Sequence, residues 1–274
     1  MTYYQYRIQS QHTHPEILLA FLNQMAFESF QEKEDHLEAY LPSSQWSVAF
    51  EQELKALSEQ LHFSFQKAEL PDQNWNAIWE SNFQAIIVED FCGIRADFHP
   101  PITQTTYEIV INPRMAFGTG HHETTYMMMA TMKELPIKGR KVLDYGCGTG
   151  ILAILAAKMG ASEIQANDIE KAAYENTLVN IQSNQTEHIQ VFEGDLHVIS
   201  AAEFDLILAN INRNVLLDSL ESLYQKLKTG AILLISGFIE EDEDQLIRQG
   251  QALGLRCIGR KSRNNWRCLT FNRL

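Results

Sequence analysis

The chain has no apolar run approaching the roughly 20 residues that span a bilayer, so no membrane-crossing helix is expected. Its first residues, Met1-Thr2-Tyr3-Tyr4-Gln5-Tyr6-Arg7, lack the basic and apolar regions of a secretory leader. Cysteine is sparse. The four present (Cys92, Cys147, Cys257 and Cys268) form no CxxC and no regular spacing, which indicates neither a disulfide framework nor a zinc site. Positive charge is also scarce: 22 basic against 35 acidic residues leave a net charge of −13. Such a surface repels phosphate backbones and suits a basic partner. The deficit is deepest in residues 1–72, with four basic and eleven acidic side chains. Residues 256–274 reverse it with six basic and no acidic side chains, read as protection of an edge strand. There are no repeats and no low-complexity segments. A reduced, cytoplasmic, monomeric protein without membrane or direct nucleic-acid contacts is expected, and 45 % hydrophobic residues can build a substantial core.

The first seventy residues alternate strand and helix signals. Tyr3–Gln9 has period-two apolar residues, and Ile17, Leu18, Phe21 and Leu22 fall at helical spacing after Pro15. Residues 27–31 and 36–41 suggest a strand pair, 47–61 a second helix, and 62–68 a last strand. The order βαββαβ predicts a ferredoxin-like unit. Trp75 and Trp79, four apart, share one face of a short predicted helix that would link it to the rest. Short strands are then expected over 85–89 and 107–111, and from Lys141 a β-α-β-α alternation predicts a largely parallel sheet covered on both faces.

The strongest local pattern is Val142-Leu143-Asp144-Tyr145-Gly146-Cys147-Gly148-Thr149-Gly150, running into the helical Ile151–Ala157. A buried strand enters a glycine turn that opens a helix, where a ligand can approach the main chain closely. The G-x-G-x-G spacing differs from the dinucleotide fingerprint G-x-G-x-x-G. Asp144, two residues before the first glycine, would repel a pyrophosphate and is expected to accept from a cationic ammonium. The next strand ends at Asp168, placed to take both hydroxyls of a ribose. Asp195, after Ile189–Glu193, is expected beside an adenine slot. Asn210 closes Phe204–Ala209 at the carboxyl edge of its strand, placed to orient an amine.

The glycine loop, Asp168 and Asn210 together resemble a class I S-adenosylmethionine methyltransferase. Upstream, Asn112-Pro113-Arg114-Met115-Ala116-Phe117-Gly118-Thr119-Gly120-His121-His122-Glu123-Thr124-Thr125 is similar to a narrower signature. It is close to the Ala-Phe-Gly-Thr-Gly-x-His-x-Thr-Thr run of the PrmA-type enzymes that methylate ribosomal protein L11. Ala209-Asn210-Ile211 also resembles that family's Ala-Asn-Ile, and Trp75, Trp79 and Asn82-Phe83 its linker helix. The chain departs from the pattern at Arg114, His121 and Glu123, where glycine, threonine and proline are usual.

The resemblance implies a Rossmann-like, doubly wound seven-stranded sheet behind a small α+β domain. The implied divisions are 1–72 for substrate recognition, 73–83 as linker helix and 84–274 for methyl transfer. It places cofactor contacts on Thr125, Gly146, Asp168 and Asn210, with Asp144, Gly148, Gly150 and Asp195 joining them from the reading of the motifs. The implied cofactor is S-adenosylmethionine, and the implied substrate a basic ribosomal protein of the large subunit, modified at lysine or N-terminal amines. Asn210 is the candidate for orienting the amine. Two other chemistries fit the motifs less well. Exocyclic-amine methyltransferases of nucleic acids carry Asn/Asp-Pro-Pro-aromatic where this chain has Asn210-Ile211-Asn212-Arg213. A nicotinamide-dependent oxidoreductase would want the longer glycine spacing and no Asp144. His121-His122-Glu123 lacks the i, i+4 histidine pair of a zinc helix, so no metal is expected.

Overall fold

A computed structural model of the chain describes residues 3–10, 15–22, 25–33, 36–70, 84–112, 122–199 and 203–274. Its contacts divide it into two units, Met1–Asn82 and Phe83–Leu274. The tryptophan segment and most of the Asn112–Thr125 signature lie outside the described residues.

In the first unit, β1 (Tyr3–Ser10) leads to a helix at Pro15–Leu22. β2 (Ser29–Glu32) and β3 (Leu37–Pro42) precede a second helix, Val48–Leu61, and β4 (Phe63–Leu70) closes the unit. The sheet order is β2-β3-β1-β4, with every described pairing antiparallel. Period two sends Tyr6 and Ile8 inward, where they join Leu22, Leu41, Phe50 and Leu54 in one core. The second helix begins where Ser47 accepts from Phe50 N at 3.1 Å and ends at His62 in the left-handed region.

The second unit opens with a small sheet of β5 (Ile86–Val88), β6 (Cys92–Arg95) and β7 (Tyr107–Val110), β5–β6 antiparallel and β6–β7 parallel. The sequence reading missed β6: four residues including a glycine give no usable period. After the helix Glu123–Met132 come β8 (Lys141–Tyr145), β9 (Glu163–Asp168), β10 (Ile189–Glu193), β11 (Phe204–Asn210), β12 (Leu227–Ile239), β13 (Leu255–Arg263) and β14 (Trp266–Arg273). They form one seven-stranded sheet of order β10-β9-β8-β11-β12-β14-β13. Only the pairings of β14 are antiparallel. Two separate apolar clusters form on this unit, one gathering the helix Ile151–Lys158, the other the helices Arg213–Lys226 and Glu240–Leu253. Order reverses between β8 and β11, so a crevice opens beyond their carboxyl ends.

The basic C-terminal run does more than guard an edge. β14 lies inside the sheet, where Arg267 pairs with Glu240 and Glu243; from β13, Arg260 meets Glu243 at 3.0 Å and Lys261 meets Glu134 at 2.6 Å. Arg263 stacks 3.9 Å from the Tyr126 ring centre. These charges tie the last hairpin to the helices Glu123–Met132 and Glu240–Leu253 and to the turn after the first of them.

Candidate active site

The crevice is a cavity of about 800 Å³, within the size range of small-molecule sites. One wall is the glycine turn after β8. Gly146 N and Cys147 N donate to Asn167 O at 2.9 and 3.0 Å, and Thr177 Oγ1 donates to Gly148 O at 2.8 Å, so the loop is braced from below. Gly146 has φ of 72°, and a Cβ there would lie 2.2 Å from Ile211 Cγ2. Ile211 is pressed from the other side too. Gly237, at a register shift in β12 with φ of 99°, would carry a Cβ 2.1 Å from Ile211 O. The two glycines together let the segment after Asn210 settle into the cleft.

Asp168 ends β9 and lines the cavity. Its Oδ2 accepts from Gly148 N at 2.9 Å and its Oδ1 from Glu170 N at 3.0 Å. Each carboxylate oxygen keeps a further lone pair for a hydroxyl. Beside it the apolar wall of Ile169, Ala172 and Ala173 suits a flat ring; Ile169 is 70 % exposed. Asn167 also lines the cavity, and its Oδ1 is a buried acceptor with no hydrogen-bond partner among the described residues.

At the other end Asn210 finishes β11. Its Nδ2 donates to Thr125 Oγ1 at 3.2 Å, joining it to the first turn of Glu123–Met132. That bond leaves Asn210 Oδ1 as the acceptor available to an incoming group. The next helix starts at once, because Asn212 Oδ1 caps it by accepting from Val215 N at 3.1 Å. His122 caps Glu123–Met132, with its Nδ1 2.8 Å from Thr124 Oγ1. Its ring meets Trp266 edge-on, centroids 4.5 Å apart, and both rings line the cavity.

Thr125, Gly146, Gly148, Asp168 and Asn210 are therefore brought together, whereas three other expected residues stand apart from the lining. Asp144 is 1 % exposed and accepts from Ala153 N at 3.0 Å, pinning β8 to the following helix. Asp195 caps a short turn by accepting from His197 N at 2.9 Å. Gly150 closes against Thr177, whose Cγ2 would lie 2.7 Å from an added Cβ. Sequence reasoning gave no site role to Ile169 or Trp266, and placed His122 in the family-like signature while rejecting it as a metal ligand. Ile169 had a local signal, an apolar residue directly after a strand-end acid; Trp266 is carried in from a strand far along the chain.

Burial, reinforced by the charge of Asp168 and opposed by the Ala153 N–H, raises the Asp144 carboxyl from 3.8 to about 7. Native Asp144 then holds a proton that the unfolded chain has released between these values. Its contribution is complete below the unfolded value and lost as pH rises through the folded one. Asp144→Asn keeps an oxygen for Ala153 N and cannot ionise. Thermal denaturation at pH 5 and pH 8 is expected to show native stability falling between the two pH values and a smaller fall in the variant. Equal falls would remove Asp144 as the cause.

The seven-stranded order with one antiparallel strand, the glycine turn and the carboxylate-ended second strand define a class I S-adenosylmethionine-dependent methyltransferase. The family model for ribosomal protein L11 methyltransferase (PrmA) matches residues 7–274, and the chain belongs to that family. The ribosomal protein L11 methyltransferase of Porphyromonas gingivalis is 44 % identical over 263 residues, covering 93 % of this chain and 90 % of the relative. That of Bacteroides thetaiotaomicron is 38 % identical, over 93 % of both chains. Among solved structures, a ribosomal protein L11 methylase from Lactobacillus delbrueckii subsp. bulgaricus matches with a TM-score of 0.65 and 26 % identity. The match covers 70 % of this chain and 99 % of that one. S-adenosylmethionine is the cofactor, and the cleft fits it: paired carboxylate lone pairs, an apolar slot and a buried acceptor unpaired among the described residues at one end, an amide and a hydroxyl at the other.

Proposed function

We propose that this enzyme methylates amines of ribosomal protein L11, at lysine side chains, the N-terminus or both, with Asn210 orienting the amine. The observation that carries the reading is the Asn210–Thr125 bond, which fixes one end of the amide and leaves its oxygen for the substrate. Bound S-adenosylmethionine supplies a methyl group already activated on a sulfonium. The residues then have three tasks. Asp168 accepts from the ribose hydroxyls, while the Gly146 and Gly148 backbone admits the donor's amino-acid end near Thr125. Asn210 Oδ1 accepts an N–H from the amine, aiming the nitrogen lone pair along the transfer line. The amine must arrive neutral, although a lysine of pKa about 10.4 is neutral only about 0.04 % of the time at pH 7. A site beside a cation, screened by Trp266 and His122, disfavours the ammonium form.

Residues 1–72 are proposed as the recognition domain, acting on a basic protein without contact to nucleic acid. Their excess of acid, eleven against four, supports this. A chain starting near Asp72 is expected to keep its affinity for S-adenosylhomocysteine and to lose nearly all transfer to the ribosomal protein. Full transfer by the truncated chain would refute the recognition role. The overall reading is tested with labelled donor and ribosomal proteins from cells lacking the enzyme. Label should appear on L11 amines located by mass spectrometry, and its absence from L11 would sink the reading.

A further inference from the structure

A lysine stands where the first unit's strand pattern calls for an apolar residue. Phe63 and Phe65 of β4 point into or against the core, and period two puts Lys67 on that same face, opposite Tyr6 of β1. Its ammonium lies 4.3 Å from the Tyr4 ring centre, 4.0 Å from that of Trp46 and 3.2 Å from Glu51 Oε2. The two rings stand 5.9 Å apart and are tilted by 54°, forming two walls of a corner. Its floor is built as well: Trp46 Nε1 donates to Glu51 Oε2 at 2.5 Å and Tyr6 Oη to the same oxygen at 3.3 Å. All three donors converge on Oε2, so Oε1 makes no hydrogen bond among the described residues.

We propose that Tyr4, Trp46 and Glu51 form a cage for a methylated lysine of the substrate, in which Lys67 is an internal stand-in. Two aromatic faces and a carboxylate are the chemistry that holds an alkylated ammonium. A lysine amine with one or two methyl groups suits this corner best. It keeps an N–H for Glu51 and lays its methyl groups, which share the positive charge, against the rings. Lys67 is a weak competitor, because its side chain is 25 % exposed and Glu51's is 33 % exposed. Partly exposed ion pairs and cation–ring contacts each shift an equilibrium by only a few-fold. An enzyme that modifies several amines through one cleft could thereby grip an unfinished substrate by an amine it has already modified. The inference rests on the lysine-methylating reading above.

The test uses the full chain and the probe Nα-acetyl-Nε,Nε-dimethyl-lysine amide, followed by saturation-transfer NMR of its N-methyl protons. Lys67→Ala is expected to bind the probe about tenfold or more tighter than the native protein does. The gain should vanish when Glu51→Gln or Trp46→Leu is added, with circular dichroism reporting the fold of each. Glu51→Gln keeps an acceptor for Trp46 Nε1 and so guards against a variant that merely unfolds. Equal affinity in native and Lys67→Ala proteins would overturn the cage, and so would a gain that survives Glu51→Gln. An unmethylated lysine probe bound as tightly as the dimethylated one would overturn the preference for methylated lysine. Methyl transfer to L11 is measured separately. Transfer without probe binding discards the cage and keeps the function, while probe binding without transfer does the reverse.

Discussion

Asn210→Ala is expected to lower the turnover of methyl transfer about 100-fold while changing the dissociation constant of S-adenosylhomocysteine by less than about threefold. The asymmetry follows from where the amide sits. Phe204–Ala209 lead it to the strand end through five fully or nearly fully buried apolar residues, and Asn212 starts the next helix two residues later, so the backbone at 210 has little freedom. Thr125 takes one N–H of Nδ2 and fixes the amide's orientation, and Oδ1 is its acceptor for an N–H of the neutral amine. A donor bound without an oriented amine gains little from proximity. Removing the amide should therefore cost the transfer step and spare the cofactor. Equal losses in turnover and affinity would make Asn210 a cofactor residue only.

The second large effect falls on binding. Asp168→Ala is expected to weaken S-adenosylmethionine by at least about tenfold, since hydrogen bonds to a charged acceptor are worth roughly 1.5–3 kcal/mol each. The structure adds a second reason. Both carboxylate oxygens already hold main-chain N–H groups, one of them in the glycine turn, so the alanine variant loosens the loop as well as losing the hydroxyl contacts. Asp168→Asn should be nearly as damaging, because the amide is uncharged and keeps only one oxygen for the two N–H groups of Gly148 and Glu170. Unchanged affinity in calorimetry of either folded variant would remove Asp168 from the site.

The parts legible in sequence were those encoded within a few residues of one another. β8, its glycine turn and the buried helix Ile151–Lys158 follow from one continuous pattern, and the strand-end positions of Asp168 and Asn210 from the two segments that precede them. Side-chain direction was less legible. Asp144 lies in a strand buried on both faces, so nothing in the alternation says whether its carboxylate meets the cleft or the following helix; it meets the helix at Ala153. Asp195 carries the common alternative role of a short polar residue at a turn. The antiparallel hairpin of residues 254–261 and 266–272 is legible in the sequence, but Trp266 reaches the cleft through the pairing of β14 with β12, which has no local trace. Lys67 violates the strand pattern, and the reason lies in Trp46 and Glu51, which tertiary packing brings to it.

The most direct measurement is a crystal structure of the full chain with S-adenosylhomocysteine bound. The ribose hydroxyls should lie within hydrogen-bond distance of Asp168, and the base against Ile169. The amino-acid portion should run past Gly146 towards Thr125, with the sulfur on the Asn210 side of the cleft. Density for the ligand in another cavity, or in this cleft with its ribose away from Asp168, would contradict the assignment of the site.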